Sequence, residues 1–222
     1  MAKPASFSTQ PRRGVLLAAL AFCLSVGAAH AATTDAQFQA AFQTFQAAQD
    51  GDSAALEASA DQFNALLKAE PGHPMLMVYA GAATALKAKS TYMPWKKISH
   101  AEDGLALIDK GLALLQPAHD TALLNRSPVS LQARFTAAST FLNLPAFFNR
   151  NARGVKLLAD VQMSPLLSQA TPGFQGAVLL RAGQQAAKEF RNADARRDFQ
   201  AVIQRQLPQA EAAKAQLQGL PQ

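Results

Sequence analysis

Between Ile98 and Leu115 one helix carries two adjacent apolar stripes, and the second of them contains two glycines. Ile98, Ala101, Leu105, Ile108, Leu112 and Leu115 follow one another at alternating steps of three and four, which keeps them on a single helical face. Beside them run Gly104, Leu107, Gly111 and Leu114. Glycine inside a helix costs about 1 kcal/mol relative to alanine. Two glycines seven residues apart therefore imply that another helix backbone lies close against that face. A helix apolar on two sides is expected to sit in the middle of a helical stack. Ser99 and Glu102 have the spacing of a capping box, which would start this helix at Ser99 and leave Tyr92–Trp95 in the loop before it.

The rest of the sequence is consistent with helices only. Alanine, leucine and glutamine dominate while isoleucine, valine and tyrosine are scarce, a bias toward helix and away from sheet. No period-two alternation is long enough for a strand. The 222 residues, 49% hydrophobic and 16% charged, suffice for one sizeable core.

Residues 1–31 read as a cleavable signal peptide. Lys3, Arg12 and Arg13 form a basic start, an apolar run extends from Val15 to about Ala29, and Ala29-His30-Ala31 ends it with small residues, which places cleavage after Ala31. The run is shorter than the ~20 residues of a membrane-spanning helix. The protein would then be periplasmic, with residues 32–222 as a single domain. Cys23 is the only cysteine, so the mature protein would have no disulfide, thiolate nucleophile or cysteine metal site.

Turn and cap signals divide that domain. Thr34 with Gln37 forms a capping box for a first helix ending at Gly51, and Asp52 or Ser53 opens a second that stops at Pro71-Gly72. Pro74 starts a third. After the glycine-bearing helix and a loop over Pro117–Ser127, Ser127-Pro128, Pro145, Thr171-Pro172, Asn192 and Pro208 each open a further helix. Short links pair the helices into antiparallel hairpins beginning near residues 34, 74, 128 and 172, about four pairs plus a short C-terminal helix. No hairpin can bury its apolar face alone, and stacking completes the core.

Phe63-Asn64-Ala65-Leu66-Leu67-Lys68-Ala69-Glu70-Pro71, followed by Tyr79-Ala80-Gly81-Ala82-Ala83, resembles the end of one tetratricopeptide repeat and the small-residue core of the next. The resemblance covers mainly residues 34–116. It implies an α-solenoid, and a function typical of that family: an adaptor that lays peptide segments in a concave groove. The spacing of the hairpins is longer than the family's 34-residue repeat.

Chemistry is harder to find. There is no Gly-x-Ser-x-Gly elbow, Ser-x-x-Lys, phosphate loop or His-Glu-x-x-His. His73, His100 and His119 lack the close spacing of metal ligands, which points to capping or surface roles. Glu102 and Asp103 are adjacent on a helix and point apart. No catalytic residue, metal or cofactor is therefore implied. Residues 32–110 hold six basic and nine acidic side chains, and residues 111–222 hold twelve and six. The second half is thus a moderately cationic surface, by the plainest reading a solvated face and by the sharper one a match for an acidic partner. Export argues against nucleic acid.

Two candidate binding features follow. Tyr92, Trp95, Lys96 and Lys97 would form an aromatic-basic recognition edge, unless Trp95 packs under the following helix as a staple, the plainer expectation for a tryptophan. Arg150 and Arg153, one turn apart, would clamp a carboxylate or phosphate, unless they belong to a solvated face. The expected function is a secreted, all-α adaptor binding a protein partner in a Gram-negative-type cell envelope. The alternatives are an envelope small-ligand carrier or enzyme using the edge around Trp95, and a structural subunit of a larger complex.

Overall fold

The computed structural model describes residues 1–2 and 33–221, so the signal peptide and its cleavage after Ala31 lie outside the described residues. The protein is all-α. The helices are α1 (Asp35–Gln49), α2 (Ser53–Ala69), α3 (Pro74–Leu86), α4 (Pro94–Ala113), a one-turn α5 (Ala118–Thr121), α6 (Val129–Asn143), α7 (Asn151–Gln162), α8 (Pro172–Lys188), α9 (Asn192–Gln204) and α10 (Ala210–Gln218). Successive helices pack as pairs, α1 with α2, α3 with α4, α6 with α7 and α8 with α9; the pairs join through α2 on α3, α3 on α6 and α7 on α8, while α10 closes on α9.

Local chemistry sets most of the boundaries. The Thr34–Gln37 capping box forms in full at α1. Gly51 takes φ +107°, the left-handed turn after α1 that favours glycine. The Asp52 carboxylate accepts from the Ala54 and Ala55 N–H groups to start α2, and Thr171 accepts from the Phe174 N–H to start α8.

The centre of the stack is α3, not α4. Eleven of the thirteen α3 residues are buried, and it touches α1, α2, α4 and α6. Phe38, Phe42 and Phe45 of α1, Phe63 of α2 and Tyr79 of α3 form one aromatic cluster, with Phe63 stacked on Tyr79 at 5.0 Å and Phe38 edge-on to it at 5.1 Å. In α4, Ala101, Gly104, Leu105, Ile108 and Gly111 are buried, whereas Ile98 is 40% and Leu114 37% exposed. Helix α3 is the main neighbour of the two stripes, with α6 as a lesser one.

That contact is the close helix approach the glycines implied. A Cβ on Gly104 would collide with the Gly81 carbonyl oxygen and stand 2.8 Å from the Ala85 nitrogen; one on Gly81 would meet the Gly104 oxygen at 2.5 Å, and one on Gly111 the Pro74 oxygen at 2.8 Å. Backbone meets backbone at these three points of the pair.

Several predicted starts move. Helix α4 begins at Pro94, with Met93 as cap and no side-chain cap bond. Ser99 and Glu102 are therefore inside it, and the Ser99 hydroxyl donates to Asp103 instead of capping. His100 accordingly lies in the second turn. Ser127-Pro128 does not open α6. It forms β2 (Ser127–Pro128), paired antiparallel with β1 (Leu123–Leu124) across a tight turn in which Asn125 and Arg126 have φ of 52° and 56°. Two consecutive left-handed residues are the signature of a two-residue hairpin turn. The Ser127 hydroxyl accepts from the Thr171 N–H, which ties the start of α6 to the start of α8. After Pro145 a 3₁₀ turn (Ala146–Phe148) breaks at left-handed Asn149 before α7 begins. Arg191 rather than Asn192 caps α9, and α10 starts at Ala210, past Pro208.

Because the atoms facing Gly104 are backbone and cannot swing aside, Gly104→Ala is expected to destabilise the fold by ~1–3 kcal/mol. Gly173→Ala, in the first turn of α8 where an added Cβ meets nothing within 4 Å, is expected to be neutral or to stabilise by up to about 1 kcal/mol. Urea melts of the two variants check both; equal midpoints would contradict the packing described.

Candidate functional site

The first helix of each pair faces a common groove of about 1050 Å³. From α1 it takes Gln39, Phe42, Phe45, Gln46 and Gln49, from α3 Tyr79 and Leu86, and from α6 Phe135, Thr136, Ser139 and Asn143. From α8 come Phe174, Ala177, Leu180, Arg181 and Gln184. The turn at Asn125–Ser127 and the link at Pro208–Gln209 also line it, and none of the lining residues belongs to α2, α4, α7 or α9. Phe135 and Phe174 meet edge-on at 5.3 Å on its wall. Tyr79 reaches the groove from the core; burial pushes its phenol up to about 12, partly offset by a hydrogen bond with Thr136. It is a neutral hydroxyl at any physiological pH.

Around the aromatic floor the groove is polar and slightly cationic. Carboxamides supply both donors and acceptors. Lys89, Arg126 and Arg181 face it against a single acid, Asp50. Arg181 donates from Nη2 to the Asn143 Oδ1 at 2.8 Å, while its Nε is buried with no acceptor. No motif or periodicity in the sequence singles out these residues. One signal is present: residues 161–188 contain no acid, so Arg181 has no carboxylate on its own helix.

The candidates drawn from sequence lie elsewhere. Tyr92 is 98% and Trp95 67% exposed, with Met93 and Ile98 exposed beside them. Trp95 occupies the first turn of α4, followed by Lys96 and Lys97; it is not a buried staple, because Pro94 starts the helix before it and turns it outward. None of the four lines the groove. Arg150 and Arg153 do face the same way and do clamp a carboxylate, but it is the protein's own. Arg150 Nη2 lies 2.9 Å and Arg153 Nη1 2.5 Å from the two oxygens of Asp109 on α4, and both guanidinium groups sit over the Phe141 ring at 5.6 and 5.3 Å. Neither a solvated face nor an open anion clamp describes them: they fasten α7 to α4.

A second, smaller cleft lies beside Glu70, His73 and His119. Both histidines act as caps. His73 Nδ1 accepts from the Leu76 N–H at the start of α3, and His119 Nδ1 accepts from the Gln116 N–H. Among the described residues no group of three or more histidine, cysteine or acidic side chains is placed to hold a metal ion. No described helix is long and apolar enough to cross a membrane. Comparison with protein-family models, curated proteins and solved structures finds no match for the sequence or the fold.

Burial holds the His73 pKa below its ordinary 6.5, opposed by Glu70 and reinforced by His119. The folded protein thus binds this proton less readily than the unfolded state. Its stabilising effect is complete above about pH 6.5 and declines as pH falls from there toward the depressed folded value. His73→Asn keeps a capping acceptor that does not titrate. Thermal melts from pH 7.5 to 5 should show a slope in the parent that the variant reduces; identical slopes would remove His73 as the cause.

Trp95 is the only tryptophan. Its fluorescence should be strongly accessible to collisional quenchers, more so to iodide than to caesium because Lys96 and Lys97 flank it. A shielded, blue-shifted emission would contradict the exposed placement.

Proposed function

We propose that the protein is a helical adaptor of the tetratricopeptide-like kind, working in the cell envelope and holding an extended segment of a partner protein in the groove of α1, α3, α6 and α8. One observation carries this reading: the groove is lined by the first helix of every pair and by no second helix. Repeat proteins of paired helices present their binding surfaces in that way. Its chemistry suits a peptide. Phe42, Phe135, Phe174 and Leu180 offer partly exposed apolar seats for side chains, and the carboxamides and hydroxyls between them can satisfy a peptide's N–H and C=O groups. At about 1050 Å³ the space lies at the upper end of ordinary small-ligand pockets, ~300–1000 Å³. The envelope location rests on the signal-peptide reading, and the resemblance in residues 34–116 supports the same class of fold.

The small-ligand alternative at Trp95 has less behind it. Tyr92 and Trp95 stand out from the surface instead of enclosing a volume. An exposed aromatic pair next to two lysines suits a flat contact with the same or another partner better than a pocket.

A photo-crosslinking residue placed at Ser139 or Gln184, inside the groove, is expected to capture one and the same envelope protein in living cells. The same residue at Lys156, on the exposed side of α7, should not. Phe135→Asp should abolish capture while leaving the helical circular dichroism intact. Equal capture from Lys156, or capture unaffected by Phe135→Asp, would reject the groove as the binding surface.

A further inference from the structure

We propose that Arg181 anchors a carboxylate carried by the segment that occupies the groove, either that of an aspartate or glutamate residue or the terminal carboxylate of the segment itself. The inference rests on the groove reading above and specifies its ligand.

The protein treats its other guanidinium groups differently. Arg134, Arg150, Arg153, Arg191 and Arg197 each sit on a carboxylate. Arg205 and Arg196 end on oxygens of Gln175 and Pro221. Arg126 is exposed at the hairpin turn. Arg181 alone among the described arginines is half-buried, bound only to a neutral amide oxygen and left with a buried N–H that has no acceptor. Burial pushes its pKa down and no neighbouring charge contributes. A guanidinium cannot escape such a site by losing its proton. Taking it partly out of water without a counter-ion therefore costs stability that nothing visible returns.

The surroundings indicate what would return it. Phe135, Phe174, Leu180 and Ala177 share the groove wall and lower the local dielectric, which strengthens any ion pair formed there. Ser139 adds a hydroxyl donor for a second carboxylate oxygen. The geometry of a guanidinium, planar and forked, favours a carboxylate held through two bonds. Lys89 and Arg126, also on the groove and without an ion pair among the described residues, bias the whole surface toward an acidic occupant.

The test uses the purified protein with a library of labelled octapeptides in matched sets: aspartate or glutamate against asparagine or glutamine, and free against amidated C-termini. Retained peptides are expected to be rich in acid, with replacement by the amide weakening binding about tenfold or more. Dependence on the free C-terminus alone assigns a terminal carboxylate, and dependence on an internal acid assigns a side-chain one. Arg181→Met should erase the preference and Arg181→Lys should keep part of it. The melting temperature of Arg181→Met should be unchanged or higher than the parent's, since an uncompensated charge is removed. Peptide binding without acid preference, or preference that survives Arg181→Met, would overturn the role of Arg181 while leaving the groove standing. A marked fall in melting temperature would assign Arg181 to the fold instead. Absence of any peptide binding would reject the groove reading and this inference with it.

Discussion

The backbone contact between α3 and α4 is the constraint on which the remaining structure depends. Gly81, Gly104 and Gly111 leave no room for a Cβ of their own, and the atoms facing them are backbone oxygens and nitrogens together with the side chains of Ile108, Ala85 and Val78. The cost of three helical glycines, about 1 kcal/mol each, is offset by dense packing along the pair. With α4 seated this closely, α3 is enclosed on that side and presents Tyr79 to the opposite one, where Phe38, Phe45 and Phe63 surround the ring and Thr136 of α6 meets its hydroxyl. One residue of α3 thus touches α1, α2 and α6 at once, while the glycines of α3 and α4 set the distance between those two helices. The same device recurs more weakly in the last pair, where Gly183 of α8 lies under the Phe199 ring of α9.

What could be read from sequence follows from how local each feature is. The Thr34 box, Gly51, Asp52 and Thr171-Pro172 work within one turn of backbone, and the structure repeats them. The Ser99-Glu102 box failed because the same spacing also occurs inside helices. Pro94 set the start earlier: its fixed φ fits a first helical position, and it pushes Met93 into the extended conformation (ψ 115°) that ends the preceding loop. Trp95 was thereby carried onto an exposed helical turn. Ser127 failed for the opposite reason. Its hydroxyl is used by Thr171, forty-four residues away, and no local pattern reports such a partner. The groove was illegible for a third reason. Its walls come from four helices spread from residue 39 to residue 184, and on each of them the groove residues look like the edge of an ordinary core stripe. Phe42 is the clearest case, since Phe38 and Phe45 on either side of it are buried and it is not.

The distribution of charge shows a similar division between composition and placement. The cationic excess of residues 111–222 does not form a single basic face. Arg191 and Arg197 are taken up by Asp194, Asp198 and Glu189 within the last helical pair. Arg150 and Arg153 reach back to Asp109 in the acidic half and bind α7 to α4. The imbalance between the halves is thus partly an attachment between them. The two Asp109 pairs are partly exposed, and each contributes on the order of 0.2–1 kcal/mol; they fix the angle of α7 more than they hold the fold together.

Once those pairs are set aside, Lys68, Lys110 and Lys188 occupy the last turns of α2, α4 and α8, where a cation is favoured, and further unpaired charge gathers in two places. Lys96 and Lys97 stand beside exposed aromatics at one end of α4, and Lys89, Arg126 and Arg181 face the groove. A protein that neutralises the half-buried Arg150 with a carboxylate from another helix has the means to do the same for Arg181, for which Asp50 shares the groove without reaching it. The difference lies in what surrounds the two. Arg150 sits where two helices already touch, so a partner from the second helix completes a contact. Arg181 also meets a neighbouring helix, but through the neutral Asn143 amide of α6, and its buried Nε keeps no acceptor. If the groove holds a partner's segment as proposed, a carboxylate on that segment is the group that would complete the site at Arg181.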